Sequence, residues 1–355
     1  MTAFAYYRLP CEQHATYVAQ HVGEPEILSS VAQLNGREGF VIAPFQPSDE
    51  CPVVLIHPDE RRVILLNGGN NSEGGLDENG GQDEKKPEGG LDENGGLNGN
   101  EKSDEKKGYV RDFGCFHGQL QRGEFRKIVL ARRSVQTTRL SAEALFAKAC
   151  RMYPRLFVAL VCSASSGMWL MATPEVLLQG SEGEYHTMSL AGTQKTEALE
   201  WPQKDREEQQ YVTDYIEACI RTFSDDCCLQ GPYTMKAAHL CHLRTDIHFR
   251  LPSDDVLGDV LEALYPTPAV CGIPKEPARR FILRHEHEPR RYYSGFVGML
   301  SPRSDTHLFV SLRCMRLLPD GICELYAGGG LLKESELEKE WRETEVKMQT
   351  MMELV

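Results

Sequence analysis

The chain has 355 residues, 41% of them hydrophobic and 8% aromatic, and a formal charge of −13. That length supports one large domain or two ordinary ones, and the acidic balance argues against non-specific nucleic-acid binding and against an anionic membrane surface. Residues 1–10 lack the basic and apolar regions of a secretory signal, so the 12 cysteines are expected as reduced thiols of a cytoplasmic protein.

Residues 1–67 read as an early strand over 4–9, a polar helix-like run, a strand in GFVIAPF (39–45), and a hairpin of Val53–Ile56 with 63–66. They carry no visible chemistry and are expected to add strands to the same domain. Residues 68–108 differ in kind. EGGLDENGG occurs at 73–81 and again at 88–96, and 11 acidic against five basic residues place −6 of the charge here. With Leu76, Leu91 and Leu97 as its only large apolar residues, the stretch cannot offset the entropy of ordering. It reads as a disordered low-complexity insert, 68–108, ahead of a core spanning 109–355.

From Lys127 the chain is dense with structure. KIVLAR (127–132) alternates as a strand with Lys127, Val129 and Ala131 on one face, and Ala142–Met152 is a short amphipathic helix. The uncharged run 156–174 is broken by the turn residues of 163–167, so it reads as a hairpin and not as a membrane span. A helix over 205–223 has the stripe Val212, Tyr215, Ile216, Cys219, Ile220, Phe223, and one turn further back the stripe reaches Glu208. A carboxylate on a core-facing line either caps a neighbour or faces a cavity. Cys227 and Cys228 with His239, Cys241 and His242 fit no usual zinc spacing.

The loop 264–275 (LYPTPAVCGIPK) is rich in proline and glycine and reads as fixed. A meander of strands over 293–300, 308–317 and 322–327 follows, with Arg313 on the apolar row of Phe309 and Met315. An arginine so placed pairs with an acid or binds an anion. Gly328, Gly329 and Gly330 then read as a turn whose backbone N–H groups suit an anion. A helix to Met352 carries the stripe Leu337, Trp341, Thr344, Met348, Met351, with Glu340, Glu343 and Lys347 beside it. Taken alone, these last features equally describe loop glycines and a surface ion pair. Together the residues suit an acidic small molecule held by arginine and backbone N–H groups, with a hard divalent cation on the carboxylates.

Eight ordered blocks go further: KIVLARR (127–133), ATPEVLL (172–178), LAGT (190–193), DREEQQYV (205–212), PTPAVCGIPK (266–275), YYSGFVG (292–298), SLRC (311–314) and YAGGGLLKES with EWRETEVK (326–347). In these the chain resembles the chorismate-utilising enzymes, which include isochorismate synthases, salicylate synthases and the synthase subunits for anthranilate and aminodeoxychorismate. The resemblance implies an α/β (α+β) fold of two packed, mainly antiparallel sheets flanked by helices, with a cleft between them. It implies that Lys127 is the general base and Glu175 the general acid, and that Mg²⁺ is held by Glu208 and Glu343 with Asp205 and Glu340 nearby. Tyr293 and Arg313 match groups that hold a substrate carboxylate, and Gly192, Thr193, Gly328, Gly330 and Lys347 match further substrate contacts.

Within that family, anthranilate synthases, whose nucleophile is ammonia, typically carry glutamine where Lys127 stands, and a nucleophilic lysine marks aminodeoxychorismate synthases at the place of Ala191. Lysine at the first position and alanine at the second resemble the water-using members, closest to isochorismate synthases. The implied partner is chorismate, with no glutamine amidotransferase subunit, no nucleic acid and no membrane. Salicylate synthase is the nearest alternative, although the loop at Ala269 and Val270 lacks the threonine such enzymes tend to carry. A non-catalytic chorismate-binding homologue would be expected to have lost part of the set Lys127, Glu175, Glu208, Glu343. The product's destination in menaquinone, siderophore or salicylate synthesis stays open. Tyr265 departs from the family's usual histidine at that place.

Overall fold

The computed structural model describes residues 1–66, 99–194, 200–237 and 240–355. The repeat at 73–96 and His239 lie outside them. The first strands are β1 (Ala3–Arg8), β2 (His14–Gln20), β3 (Glu26–Leu28), β4 (Gly39–Ala43), β5 (Val53–Ile56) and β6 (Glu60–Leu65). Next come α1 (Gly99–Gln121), β7 (Lys127–Thr137), α2 (Ala142–Met152), β8 (Phe157–Ser163), β9 (Gly167–Thr173), β10 (Val176–Ser181) and β11 (Glu184–Gln194). The middle of the chain gives α3 (Gln203–Ile220), β12 (Cys227–Ala237), β13 (Leu240–Arg250), α4 (Leu257–Leu264), β14 (Gly272–Ile273) and α5 (Lys275–His285). Last are β15 (Phe296–Leu300), β16 (Thr306–Val310), β17 (Cys314–Leu317), β18 (Ile322–Leu331) and α6 (Leu337–Met352).

The strands form two sheets, ordered β14-β7-β18-β17-β9-β8-β1-β2-β6 and β12-β13-β11-β10-β16-β15-β4-β5-β3. Neighbours pair antiparallel throughout, as at β7 with β18 and β11 with β13. The sheets face each other through Trp169, Phe40, Val54 and a stacked pair, Phe157 on Phe309, with centroids 4.1 Å apart. Helices α2 and α6 cover the outer face of the first sheet through Leu145, Phe146, Met348 and Met351. Helices α3 and α4 cover the second through Val212, Ile216, Val260 and Leu261. With both faces covered, strands such as β8 read FVALVCS, nearly continuously apolar. Among the described residues no helix is long and apolar enough to cross a membrane, and 156–174 forms the expected hairpin, β8 with β9.

Four expectations are corrected. The polar run after residue 9 contains the strand β2, which is held between β1 and β6 and buried from Ala15 on. The segments at 53–56 and 63–66 are not a hairpin: β5 pairs with β4 and β3 in one sheet, and β6 with β2 in the other. The middle meander strand is two strands, because the chain crosses between sheets after β16 and Arg313 takes a left-handed φ of 45°. The expected insert 68–108 is also too long at its C-terminal end. Helix α1 begins at Gly99, and Tyr109, Phe113, Phe116 and Leu120, at helical spacing, are all buried. Within the supposed insert, Lys106 already lies 3.0 Å from Glu338 of α6, and Glu105 pairs with Arg132 of β7.

The Phe157–Phe309 stack couples the sheets. Phe309→Ala is expected to cost about 3–5 kcal/mol in urea unfolding. A loss under about 1 kcal/mol would show that the inter-sheet contact is relaxed elsewhere.

Candidate active site

Two neighbouring strand pairs cross from one sheet to the other side by side. Residues between β9 and β10 carry Glu175, and residues between β16 and β17 carry Arg313. The crossings are tied by Val310 N–H donating to the Glu175 carbonyl (2.9 Å) and by Thr173 Oγ1–H donating to the Val310 carbonyl (2.7 Å). Their side chains enter a cavity that Lys127 and Val129 of β7, Gly328 and Gly330 of β18, Asp205 and Glu208 of α3, and Glu343 and Lys347 of α6 also line. Gly192 and Tyr293 complete the expected residues found there. Glu340 lies just behind, paired with Lys204, and the side chain of Thr193 is outside the described residues.

The three glycines are not a turn. They continue β18, with Gly328 opposite Ala131, Gly329 opposite Leu130 and Gly330 opposite Val129. Their value here is close approach. A Cβ on Gly330 would lie 2.6 Å from Glu208 Oε1 and 2.8 Å from Lys127 Cε, and one on Gly328 would lie 2.7 Å from the Tyr293 hydroxyl. Side chains therefore pack flat on the strand where any larger residue would push them out.

Charge in the cavity is paired. Lys127, 1% exposed, holds Glu208 at 2.8 Å; Lys347 holds Glu343 at 2.7 Å and donates to the Gly328 carbonyl at 3.0 Å; Lys204 holds Glu340 at 3.1 Å. Burial, reinforced by Glu343, raises the Glu340 carboxyl, and burial with Glu208 raises Asp205. In this arrangement no three His, Cys, Asp or Glu side chains among the described residues are grouped to hold a metal ion. The donor chemistry still fits a hard cation. The oxygens are all carboxylate, and Glu340 Oε2 is buried without a hydrogen-bond partner.

Arg313 is 7% exposed, and its Nη1 has no partner. Its Nη2 donates to His242 Nε2 at 3.0 Å, while His242 Nδ1–H donates to the Gly192 carbonyl at 2.8 Å. Burial, with Arg313 beside it, holds the imidazole down at about 3, so it is neutral and can accept. Burial lowers Arg313 to about 10, still charged near neutrality. A buried guanidinium with one free N–H edge is a site for an anion.

His242 and Lys204 are cavity residues that sequence reasoning missed. His242 drew notice only as a poor zinc ligand. It shares its face of β13 with Arg244 and Asp246, so nothing in the sequence alone signals that it lines the cavity. Lys204 sits in the first turn of α3, next to Asp205. Tyr265 is buried and donates to the Pro44 carbonyl, and it does not line the cavity.

The fold and cavity define a small-molecule site between two antiparallel sheets. The family model described as chorismate binding enzyme matches residues 82–355, and the chain belongs to that family. It is 30% identical over 267 residues to the salicylate biosynthesis isochorismate synthase of Pseudomonas aeruginosa, covering 72% of this chain and 56% of that one. It is also 30% identical over 259 residues to the isochorismate synthase MenF of Escherichia coli, covering 68% and 59%. The chain thus matches under two thirds of the length of these relatives. In fold it resembles the structure of the menaquinone-specific isochorismate synthase MenF from Escherichia coli, with a TM-score of 0.77, 20% identity, and coverage of 99% of this chain and 88% of the other.

Glu175 is distinct among the cavity acids. Burial drives its carboxyl from the ordinary 4.5 up to about 7, although Lys127, Arg313 and Lys347 pull the other way. Between those values the folded state keeps a proton that the unfolded state has lost, so stability falls as pH rises through that window. Glu175→Gln removes the titration. Its stability relative to wild type should grow by on the order of 3 kcal/mol from about pH 4 to about pH 8 in urea unfolding. A pH-independent difference would contradict the shift.

Proposed function

We propose that the protein is a Mg²⁺-dependent isochorismate synthase, which adds water at C2 of chorismate with loss of the C4 hydroxyl. The observation that carries this reading is the pairing, in one cavity, of a buried lysine at 127 with a carboxyl at 175 that is half protonated near neutrality. The names of the two relatives above point to the same reaction.

In this reading Lys127 takes the proton of the attacking water while the new C2–O bond forms. The ring double bond shifts, the C4–O bond breaks, and Glu175 donates its proton so that the hydroxyl leaves as water. One water enters and one departs, so substrate and product are isomers. The free Nη1 edge of Arg313, with the Tyr293 hydroxyl and Lys347, holds a substrate carboxylate. Glu208 and Glu343 are proposed as Mg²⁺ ligands, with Glu340 and Asp205 beside them. When bound, the cation would neutralise a substrate carboxylate and stabilise charge moving in the ring. Glu208 is also the partner of Lys127, and a protonated lysine cannot accept a proton. A cation held by Glu208 would draw on the carboxylate that pairs with Lys127.

Ala269 and Val270 line the cavity as small and branched apolar residues, which gives no added group for pyruvate elimination. Chorismate with Mg²⁺ should give isochorismate by chromatography and mass, and chelator should abolish turnover. Lys127→Ala is expected to lose at least ~10² in rate while still binding chorismate. Glu343→Ala should lose Mg²⁺-dependent turnover. Near wild-type rates in Lys127→Ala, efficient use of ammonium, or salicylate as the main product would each overturn the assignment.

A further inference from the structure

Behind one wall of the cavity lies a buried ion pair that the reaction above does not use. Glu286 and Arg290 each expose only 3% of their side chains and meet in two parallel bonds, Nε to Oε2 at 2.6 Å and Nη2 to Oε1 at 2.8 Å. The remaining polar contacts of both side chains go to backbone. Glu286 Oε1 accepts from Ala131 N–H at 2.7 Å; Arg290 Nη2 donates to the Val129 carbonyl at 2.8 Å, and its Nη1 to the Val270 carbonyl at 2.6 Å. Phe45 stacks under the guanidinium at 4.4 Å.

Both carbonyls belong to cavity-lining residues. Val129 is two residues from Lys127 on the same face of β7, and Val270 is on the facing loop. Tyr293, a third lining residue, donates its N–H to the Arg290 carbonyl at 2.9 Å. A buried pair is poor value for stability alone, because desolvation offsets most of the attraction. What a planar, bidentate, charge-fixed group supplies is geometry.

We propose that the Glu286–Arg290 pair is a positioning device. Beside the β14–β7 ladder, which ties the strand to the loop through Val129 N–H on the Cys271 carbonyl at 2.7 Å, it fixes where the Val129 and Val270 carbonyls stand, so that base and loop meet the substrate at a fixed distance. The inference rests on the isochorismate synthase reading. Of the three residues that anchor the substrate there, Arg313 and Lys347 bond to other groups among the described residues, and Tyr293 meets Arg290 through the backbone carbonyl, which a side-chain substitution leaves in place. Disturbing the pair should therefore change turnover and leave binding in place.

The pair also faces outward. On its far side Glu286 and Arg290 line an open groove of about 340 Å³ with Phe45, Cys51 and Leu283, so a small solute can reach the space an arginine vacates. The wild-type product from chorismate is read first, and its failure to be isochorismate would sink the functional reading independently of any variant. Arg290→Ala should then lose roughly 10²-fold in kcat, with chorismate Kd by calorimetry changed by less than about threefold. Guanidinium, and not ammonium, should recover at least about tenfold of that loss. Glu286→Gln keeps the shape and the acceptor for Ala131 but removes the charge, and should lose roughly tenfold in kcat at similar Kd. Should Arg290→Ala be insoluble, Glu286→Gln and Arg290→Lys decide by the same split. Unchanged kcat in the variants, or kcat and binding falling together with no guanidinium recovery, would overturn the proposal.

Discussion

The constraint on which the structure depends is charge balance in a cavity whose pairs run from the buried Lys127 to the part-exposed Lys204 and Glu343. Lys127, Lys204 and Lys347 are each within 3.1 Å of a carboxylate, Glu208, Glu340 and Glu343. In the buried pair of Lys127 with Glu208, removal of one partner is expected to cost about 3–5 kcal/mol, and less in the two part-exposed pairs. Two of the pairs join different elements, β7 with α3 and α3 with α6, and the third lies within α6. The lysines come from β7, α3 and α6, and the acids from α3 and α6. Strand β18 carries glycine at 328–330, so that these side chains can lie against its backbone.

Glu175 and Arg313 stand outside those three pairs, as does Asp205. Glu175 forms no ion pair among the described residues, and burial drives it toward its neutral form against the pull of Lys127, Arg313 and Lys347. Arg313 keeps its charge but leaves one N–H edge unpartnered, with its other edge set by a neutral His242. Both sit where adjacent strands cross between sheets, so neither position is free to slide along a ladder. In the proposed reading Glu175 would offer a proton and Arg313 would bind an anion while Lys127, Lys204 and Lys347 are paired.

Much of this was legible in the sequence, for local reasons. KIVLAR shows its period-two alternation, and β7 places Lys127 and Val129 into the cavity as that alternation requires. The stripe of α3 extends back to Glu208, and Glu343 and Lys347 pair at one helical turn. The rest depended on long-range pairing. No local signal tells that β5 and β6, adjacent in sequence, join different sheets, or that the chain kinks at Arg313. A triple glycine reads as a turn unless one knows that β7 is its partner. His242 gains meaning only from Gly192 and Arg313, 50 and 71 residues away. The start of α1 was misjudged differently: its charged first turns resemble the low-complexity stretch before it, and the buried Tyr109–Leu120 face appears only further on.

The central claim is that this cavity directs water to C2 of chorismate while the C4 hydroxyl leaves. It is tested most directly by turnover in oxygen-18 water with Mg²⁺, with the product analysed by mass and carbon NMR. The account predicts isochorismate carrying one labelled oxygen, bonded to C2. Unlabelled isochorismate, label retained at C4, or no conversion of chorismate would contradict it.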